Sequence, residues 1–304
     1  MRQILIVGYP YVRESYFATF RHYPEKDKLI FLLPKIWKAK QGKVVFHPPE
    51  DRNIKKARAF FFHSGYPLIG GLFKGFMPSF PLVLLSYLRQ VNLVYSCSEP
   101  ALLTTLYYAF FSKLFGKKHI FFSWENIPYQ EKSRSFKWFF KKIIIKLNLF
   151  FSDGLICGNK KGAEIFKQLT KKTIAIIPMN GLDDEFFRPG KNFEKSFKGV
   201  DLTDKIVFSF AGAISYRKGI HLILESLKEV LTELPNSFLV IAGSGEYEEE
   251  IDGLAERLGL RGYILRVPWL NQAELKELLS VSDVFLYPSL SFKGWEEQFG
   301  YSMV

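Results

Sequence analysis

Three blocks of one design fill the last third of the chain. Residues 208–227 read FSFAGAISYRKGIHLILESL, residues 237–251 read SFLVIAGSGEYEEEI, and residues 282–304 read SDVFLYPSLSFKGWEEQFGYSMV. Each passes from a short apolar run, through a glycine-rich or polar turn, toward a helix-like segment. Strand, turn and helix repeated in series can bury their apolar faces only as a parallel sheet flanked by helices.

The first two hundred residues show the same alternation less regularly. Strand-like runs lie at Gln3–Val7, Leu29–Leu33, Val44–His47, Ala59–His63, Leu93–Ser96, His119–Ser123, Gly154–Cys157 and Thr173–Ile177. They are short, continuous and apolar, as strands buried on both faces are. Helices are expected between them at 79–90, 101–115, 134–150 and 159–169. In the second part, strands are expected at Ile206–Phe210, Phe238–Ala242, Ile264–Val267 and Val284–Tyr287, with helices at 218–233, 246–258 and 272–280. The polar stretch 191–204 reads as a linker. The expectation is an α/β protein of two Rossmann-like lobes, 1–190 and 205–304, with a cleft between them. With four strands, the second lobe is expected to be incomplete and to leave an open sheet edge.

Charge separates the lobes. Residues 1–200 hold 33 Lys/Arg against 14 Asp/Glu, and residues 201–304 hold 9 against 16, within a net charge of +12. A basic lobe suits an anionic lipid surface, a phosphorylated acceptor or nucleic acid. No recognisable nucleic-acid fold accompanies it, so no nucleic-acid partner is expected. Cys97 and Cys157 end apolar runs and read as reduced, buried thiols of a cytoplasmic protein. The N-terminal MRQILIVG lacks the long apolar core of a signal peptide. The apolar run 101–116 is too short for a bilayer of ~30 Å.

The chemistry-bearing residues cluster in the turns. In AGAISYRKGI, Arg217 and Lys218 stand where a helix begins, and unpaired N–H groups there suit phosphate. Read alone, the pair serves equally as solvated charge. In AGSGE, Gly243, Ser244 and Gly245 allow close backbone approach, although tight strand–helix turns use glycine anyway. There is no GxGxxG fingerprint and no P-loop. Val267 and Trp269 follow another strand end, where Trp269 either walls a pocket or packs in the core. GWEEQFG delivers Glu297 into a turn before Gly300. Asp183 and Asp184 are adjacent, and no metal constellation stands out.

Taken together and in order, these blocks resemble the donor half of a nucleotide-sugar-dependent glycosyltransferase of the GT-B fold, glycosyltransferase family 4 (glycosyl transferases group 1). NGLDDEFFRP resembles that family's end-of-first-domain signature. The resemblance implies a retaining glycosyltransferase moving sugar from a UDP- or GDP-linked donor to a saccharide or lipid-linked acceptor in cell-surface polysaccharide or glycolipid synthesis, with no metal and no resident cofactor. It implies Lys218 on the donor diphosphate. The family's Arg, five residues earlier, is Ala213 here, and Arg217 is expected to take its work. Glu297 would bond sugar hydroxyls, and Gln298, Phe299 and Gly300 would bring backbone to the phosphates. Gly243, Ser244, Gly245, Val267 and Trp269 would lie beside the nucleotide. The family's second Glu would follow Val304, so the donor lobe is expected to be truncated.

In the first lobe the family often carries a His after the strand corresponding to 119–123. Here His119 lies within that strand, and Glu125 and Asn126 are expected to take the cleft position. Gly8, Tyr9 and Glu99 are expected on the acceptor side, although the usual double glycine after the first strand is absent. Two alternatives accompany this reading: a GT-B nucleotide-sugar epimerase, and a non-catalytic relic that binds sugar nucleotide or glycan. Finally, 133–151 sets Lys137, Lys141, Lys142 and Lys146 beside Trp138, Phe139, Ile143, Ile145, Leu147 and Phe150. Such a segment lies peripherally on an anionic membrane face or is a domain helix with solvated lysines.

Overall fold

The computed structural model describes residues 2–38, 44–63, 71–129, 136–179, 181, 185–188, 194–292, 295–298 and 300. The chain forms two compact units, Met1–Gly181 and Leu182–Val304.

The first unit contains β1 (Gln3–Val7), α1 (Glu14–Phe17), β2 (Leu29–Pro34), β3 (Trp37–Lys38), β4 (Val44–Phe46), β5 (Ile54–Ala57), α2 (Phe80–Ser86), β6 (Val91–Ser96), α3 (Leu103–Leu114), β7 (Lys118–Ser123), α4 (Phe136–Phe151), β8 (Gly154–Cys157), α5 (Lys160–Lys167) and β9 (Thr173–Ile176). Seven strands form one parallel sheet in the order β5-β2-β1-β6-β7-β8-β9. Every residue of β2 is buried, as expected for a strand covered on both faces. The register sets Val7 beside Leu32 and Ser96, and Ser123 beside Cys157. The carboxyl ends of the central strands therefore finish level, and the loops that follow them share one sheet edge.

Two expected strands are corrected. Ala59–His63 is not a sheet strand. The edge strand is β5, where Lys55 and Lys56 face solvent, while Phe60 makes an isolated bridge to Phe76 and Phe61 has φ 58°. An edge strand tolerates exposed charge and benefits from it, since lysine blocks further pairing. A search for apolar runs passes it over for the neighbouring phenylalanines. Val44–Phe46 is a strand, but it pairs antiparallel with β3 outside the main sheet.

The second unit contains β10 (Ser196–Phe197), β11 (Val200–Asp201), β12 (Ile206–Ala211), α6 (Ile220–Glu233), β13 (Ser237–Ala242), α7 (Glu248–Arg257), β14 (Ile264–Val267), α8 (Gln272–Val281) and β15 (Val284–Phe285). Its parallel sheet has the order β14-β13-β12-β15. One face packs on Ile220, Ile223, Leu224 and Leu227 of α6 with Ile251 of α7, and the other on Leu278 and Val281 of α8. An apolar cavity of about 380 Å³ lies between α6 and the β15 side, lined by Phe208, Leu222, Val230, Leu286 and Pro288 among others. Part of the stretch read as linker is built into this unit. β10 and β11 form a hairpin whose Phe197, with nearby Leu202, is fully buried against the α8 face. Lys195 also pairs with Asp283. Residues 191–193 lie outside the described residues.

Candidate functional site

In the second unit the site grows from contact between two loops at the carboxyl ends of adjacent strands. β12 runs out at Ala211, and a 3-10 turn, Tyr216–Lys218, precedes α6. Gly219 joins them with φ 68°, and a Cβ there would lie 2.2 Å from the carbonyl oxygen of Pro288. Only glycine fits both the left-handed backbone and that approach. The Leu290 N–H donates to the Arg217 carbonyl at 2.8 Å. The turn carrying the cations is thereby locked to the segment after β15.

That segment supplies their partners. Lys218 is 8% exposed. Its Nζ donates to Tyr287 Oη at 2.7 Å and to Glu297 Oε2 at 2.5 Å. The same carboxylate oxygen accepts from Tyr287 Oη at 2.7 Å and from Ser289 Oγ at 3.2 Å. Burial works to raise the Glu297 carboxyl, but the bonds from Lys218 and Tyr287 outweigh it and hold it below its ordinary range. Burial likewise pushes the Tyr287 phenol up, keeping it a donor. Arg217 lies face-on over Trp295, its guanidinium carbon 3.8 Å from the ring centroid. Trp295 is placed by two backbone hydrogen bonds with Phe292. Two cations, one carboxylate and one phenol thus converge from residues almost eighty positions apart.

The other second-lobe candidates fall in different places. Gly243 and Gly245 meet the loop after β12: a Cβ on Gly243 would lie 1.9 Å from the Gly212 carbonyl oxygen, and one on Gly245 2.2 Å from that of Ile214. These glycines let two loops pack together, with the Ile214 N–H donating to the Ser244 carbonyl at 3.1 Å. Val267 is a buried core residue, whereas Trp269 is 60% exposed and does not pack in the core. Gln298 is exposed, and its N–H donates to Glu297 Oε1 at 3.2 Å. Gly300 is buried with φ 72°. Phe299 and the helix expected after Gly300 lie outside the described residues. The sequence reading missed Tyr287 and Trp295, both of which stand beside residues it singled out.

The first unit has a pocket of its own, about 210 Å³, at the level carboxyl edge of its sheet. Tyr9 and Glu99, expected on the acceptor side, both line it, joined by Arg13, Trp37, Lys74 and Trp124. Gly8 is not among its lining residues; it packs on Cys97, where a Cβ would lie 3.1 Å from the Cys97 carbonyl oxygen. Tyr9 stacks on Trp37 with centroids 4.5 Å apart, and Lys74 Nζ lies 4.7 Å from the Tyr9 ring centroid. Glu99 is aimed by β7: its carboxylate accepts from Ser123 Oγ and the Trp124 N–H, each at 2.7 Å. Burial, then the charge of Arg13, lowers the Lys74 pKa, with Glu99 opposing. Glu125 and Asn126 stand outside this pocket. The Glu125 carboxylate accepts the N–H groups of Asn126 and Ile127 at 3.2 and 3.3 Å, and Asn126 is buried. His119 is wholly buried between Ser96 Oγ and Ser152 Oγ, at 2.9 and 2.8 Å, and burial pushes its pKa down to about 3. Cys97 and Cys157 are buried free thiols.

Helix α4 buries Ile144, Ile145, Asn148 and Leu149 and exposes Phe139, Phe140, Ile143, Leu147 and Phe150, with Lys142 and Lys146 among them. Positions 139, 143, 147 and 150 fall on one face of a helix. Residues 133–135 lie outside the described residues. Among the described residues, no helix is long and apolar enough to cross a membrane, and no group of three or more His, Cys, Asp or Glu could hold a metal.

Residues 192–304 match the model of a family described as glycosyl transferases group 1. An uncharacterized glycosyltransferase of Methanocaldococcus jannaschii is 34% identical over 99 residues, which is 33% of this chain and 25% of that protein. The D-inositol 3-phosphate glycosyltransferase of Segniliparus rotundus is 32% identical over 123 residues, 39% of this chain and 27% of that one. Among the first curated relatives the matched portion spans between 25% and 39% of their length. Among solved structures, Anabaena HepE with UDP and glucose aligns at TM-score 0.67 and 15% identity, over 99% of this chain and 76% of that one. Sucrose-phosphate synthase of Thermosynechococcus elongatus aligns at 0.62 and 15%, over 99% and 77%. The chain therefore has the α/β fold of GT-B glycosyltransferases, with a second lobe that matches glycosyl transferases group 1.

Proposed function

We propose that this chain is a retaining glycosyltransferase that takes a sugar from a UDP- or GDP-linked donor and passes it to a saccharide or lipid-linked acceptor. The observation that carries the reading is the junction of Lys218, Tyr287 and Glu297, with Arg217 beside it. Breaking the anomeric carbon–phosphate bond leaves negative charge on the diphosphate, and pre-placed cations at that point lower the barrier. Lys218 supplies one charge, and the Arg217 fork reaches two phosphate oxygens at once. Glu297 accepts hydroxyl hydrogens from the sugar. Front-side attack by the acceptor hydroxyl, with a donor phosphate oxygen taking its proton, needs no enzymic nucleophile. Solved structures of a similar fold hold UDP and UDP-glucose, which supports a nucleotide-sugar donor.

Calorimetric titration of the chain with UDP and with GDP tests the reading. One nucleotide is expected to bind saturably at one-to-one stoichiometry. Absence of saturable binding by both would refute it. Transfer itself is read as nucleoside diphosphate released together with a lengthened acceptor, which also excludes an epimerase.

The exposed row on α4, flanked by lysines on a basic lobe, supports peripheral attachment to an anionic membrane face on the cytoplasmic side, in polysaccharide or glycolipid synthesis. Liposome sedimentation tests this. Binding to anionic vesicles should exceed binding to neutral ones, weaken with salt, and fall in a Phe139→Ser, Phe150→Ser double variant. Equal, salt-insensitive binding to both vesicle types would remove the electrostatic part.

A further inference from the structure

We infer that the pocket of the first unit takes a single sugar ring carrying an anionic group, a phosphate ester or a carboxylate, with Lys74 and Arg13 holding the charge. This rests on the transferase reading in naming its acceptor class, but the pocket lies entirely within the first unit and can be tested on its own.

Three features converge on it. The first is charge that, among the described residues, makes no ion pair with a carboxylate. Lys74 and Arg13 both line the cavity. Among the described residues their contacts are to rings: Lys74 to Tyr9, and Arg13 to Tyr16 at 5.6 Å and Phe46 at 5.0 Å. The carboxylate in the same pocket, Glu99, is drawn toward β7 by Ser123 and the Trp124 N–H. A half-buried ammonium beside a second cation is costly until an anion arrives, and the lowered Lys74 pKa is the signature of that cost. The arrangement is fixed in place: Gly75, next to Lys74, packs on Tyr9, which in turn stacks on Trp37.

The second feature is shape. Tyr9, Trp37 and Trp124 make an aromatic wall, the kind of surface that takes the apolar face of a ring while a few polar groups fix its orientation. A cavity of about 210 Å³ lies below the ~300–1,000 Å³ of pockets for drug-sized ligands, so it accommodates one ring rather than a glycan chain. Glu99 adds a carboxylate for ring hydroxyls. The third feature is the field. The first two hundred residues carry 33 Lys/Arg against 14 Asp/Glu, which raises the local concentration of anionic ligands over neutral ones.

The test compares four probes on the full chain at low salt by calorimetry or ligand-observed NMR: glucose, glucose 6-phosphate, glucuronate and inorganic phosphate. At least one charged sugar should bind ten-fold or more tightly than glucose, and more tightly than inorganic phosphate. The two charged sugars distinguish a phosphate ester from a carboxylate. Lys74→Met and Arg13→Gln should each reduce the preference for the charged sugar several-fold, and Lys74→Arg should restore most of it. Arg13 is exposed, so its variant remains informative if Lys74→Met unfolds. Glucose binding as tightly as both charged sugars would overturn the inference. So would a preference unchanged by both variants, or inorganic phosphate binding as tightly as the sugar phosphate. UDP titrated into the same wild-type sample separates the two proposals. UDP binding without charged-sugar preference sinks this inference alone, and charged-sugar preference without nucleotide binding sinks the donor reading alone.

Discussion

Lys218 and Glu297 can be separated by the sign of their effects on nucleotide binding. They hold each other, Nζ to Oε2 at 2.5 Å, with side chains 10% and 25% exposed. A donor diphosphate must draw the ammonium away from that carboxylate. Lys218→Met removes a charge-assisted hydrogen bond to phosphate worth about 1.5–3 kcal/mol, so the UDP dissociation constant should rise about 10- to 150-fold. Glu297→Gln removes the competitor and keeps an acceptor for Tyr287. It should leave UDP binding equal or tighter while transfer falls, because a sugar-hydroxyl partner is lost. Stability moves as well. Lys218→Met removes this ion pair from the carboxylate, a loss of about 1–3 kcal/mol, toward the low end because the carboxylate keeps contact with water. Since the folded Glu297 carboxyl lies below its ordinary 4.5, the pair's contribution is present above that value and disappears as pH falls through the depressed one. The melting difference between wild type and Lys218→Met should therefore be full at pH 7 and close in acid. Calorimetric titration reads the affinities and thermal melts at several pH values read the stability. Unchanged UDP affinity in Lys218→Met would falsify the diphosphate assignment. Equal weakening in both variants would show that the pair acts as one structural unit.

The Arg217 guanidinium carbon lies over the Trp295 ring, so Arg217→Lys should lose both the ring contact and the two-pronged reach, weakening UDP binding nearly as much as Arg217→Ala; full recovery in the lysine variant would refute the fork. Asn148 is fully buried in α4 and donates to the carbonyl of Pro100 at 2.7 Å, so Asn148→Ala should lower unfolding free energy by about 1–3 kcal/mol in urea. His119 stays neutral in the fold down to about 3 but takes a proton at its ordinary 6.5 when unfolded. Stability should therefore fall as pH drops below 6.5, by up to about 1.4 kcal/mol per unit. His119→Gln should remove that slope, and an identical slope in the variant, followed by denaturant melts from pH 7 to 5, would count against it.

The second lobe was legible because its strands are short, mostly apolar runs, two of which, β12 and β13, pass directly into glycine at 212 and 243, and hydropathy reports that arrangement directly. The boundary of α6 was less so. The sequence places it at 218, but the turn Tyr216–Lys218 intervenes and the helix begins at Ile220, because Gly219 must bend left-handed under Pro288. Glycine at 243 and 245 was read as room for a ligand. It is room for the neighbouring loop, a distinction that local sequence cannot make, since both needs select the same residue. β5 escaped because an edge strand with two exposed lysines has no hydropathy signature, and the 196–202 hairpin escaped because two buried side chains in a polar stretch look like a linker.

The two sites differ in legibility for one geometric reason. Lys218 and Glu297 stand in the segments that follow β12 and β15, strands that sit side by side, so each belongs to a strand-and-turn block that can be read locally. Arg13, Trp37, Lys74, Glu99 and Trp124 come from five segments whose loops share an edge only because β2, β1, β6 and β7 align there. No spacing in the chain encodes that meeting. The same contrast bears on chemistry. In the second lobe Lys218 already has a carboxylate, so only a ligand with more acceptor oxygens than one carboxylate can replace it, and that favours a diphosphate over a monoanion. In the first unit Lys74 has rings and no paired carboxylate among the described residues, so one anionic group is enough. A satisfied cation selects for charge density, whereas an unsatisfied one selects for charge alone.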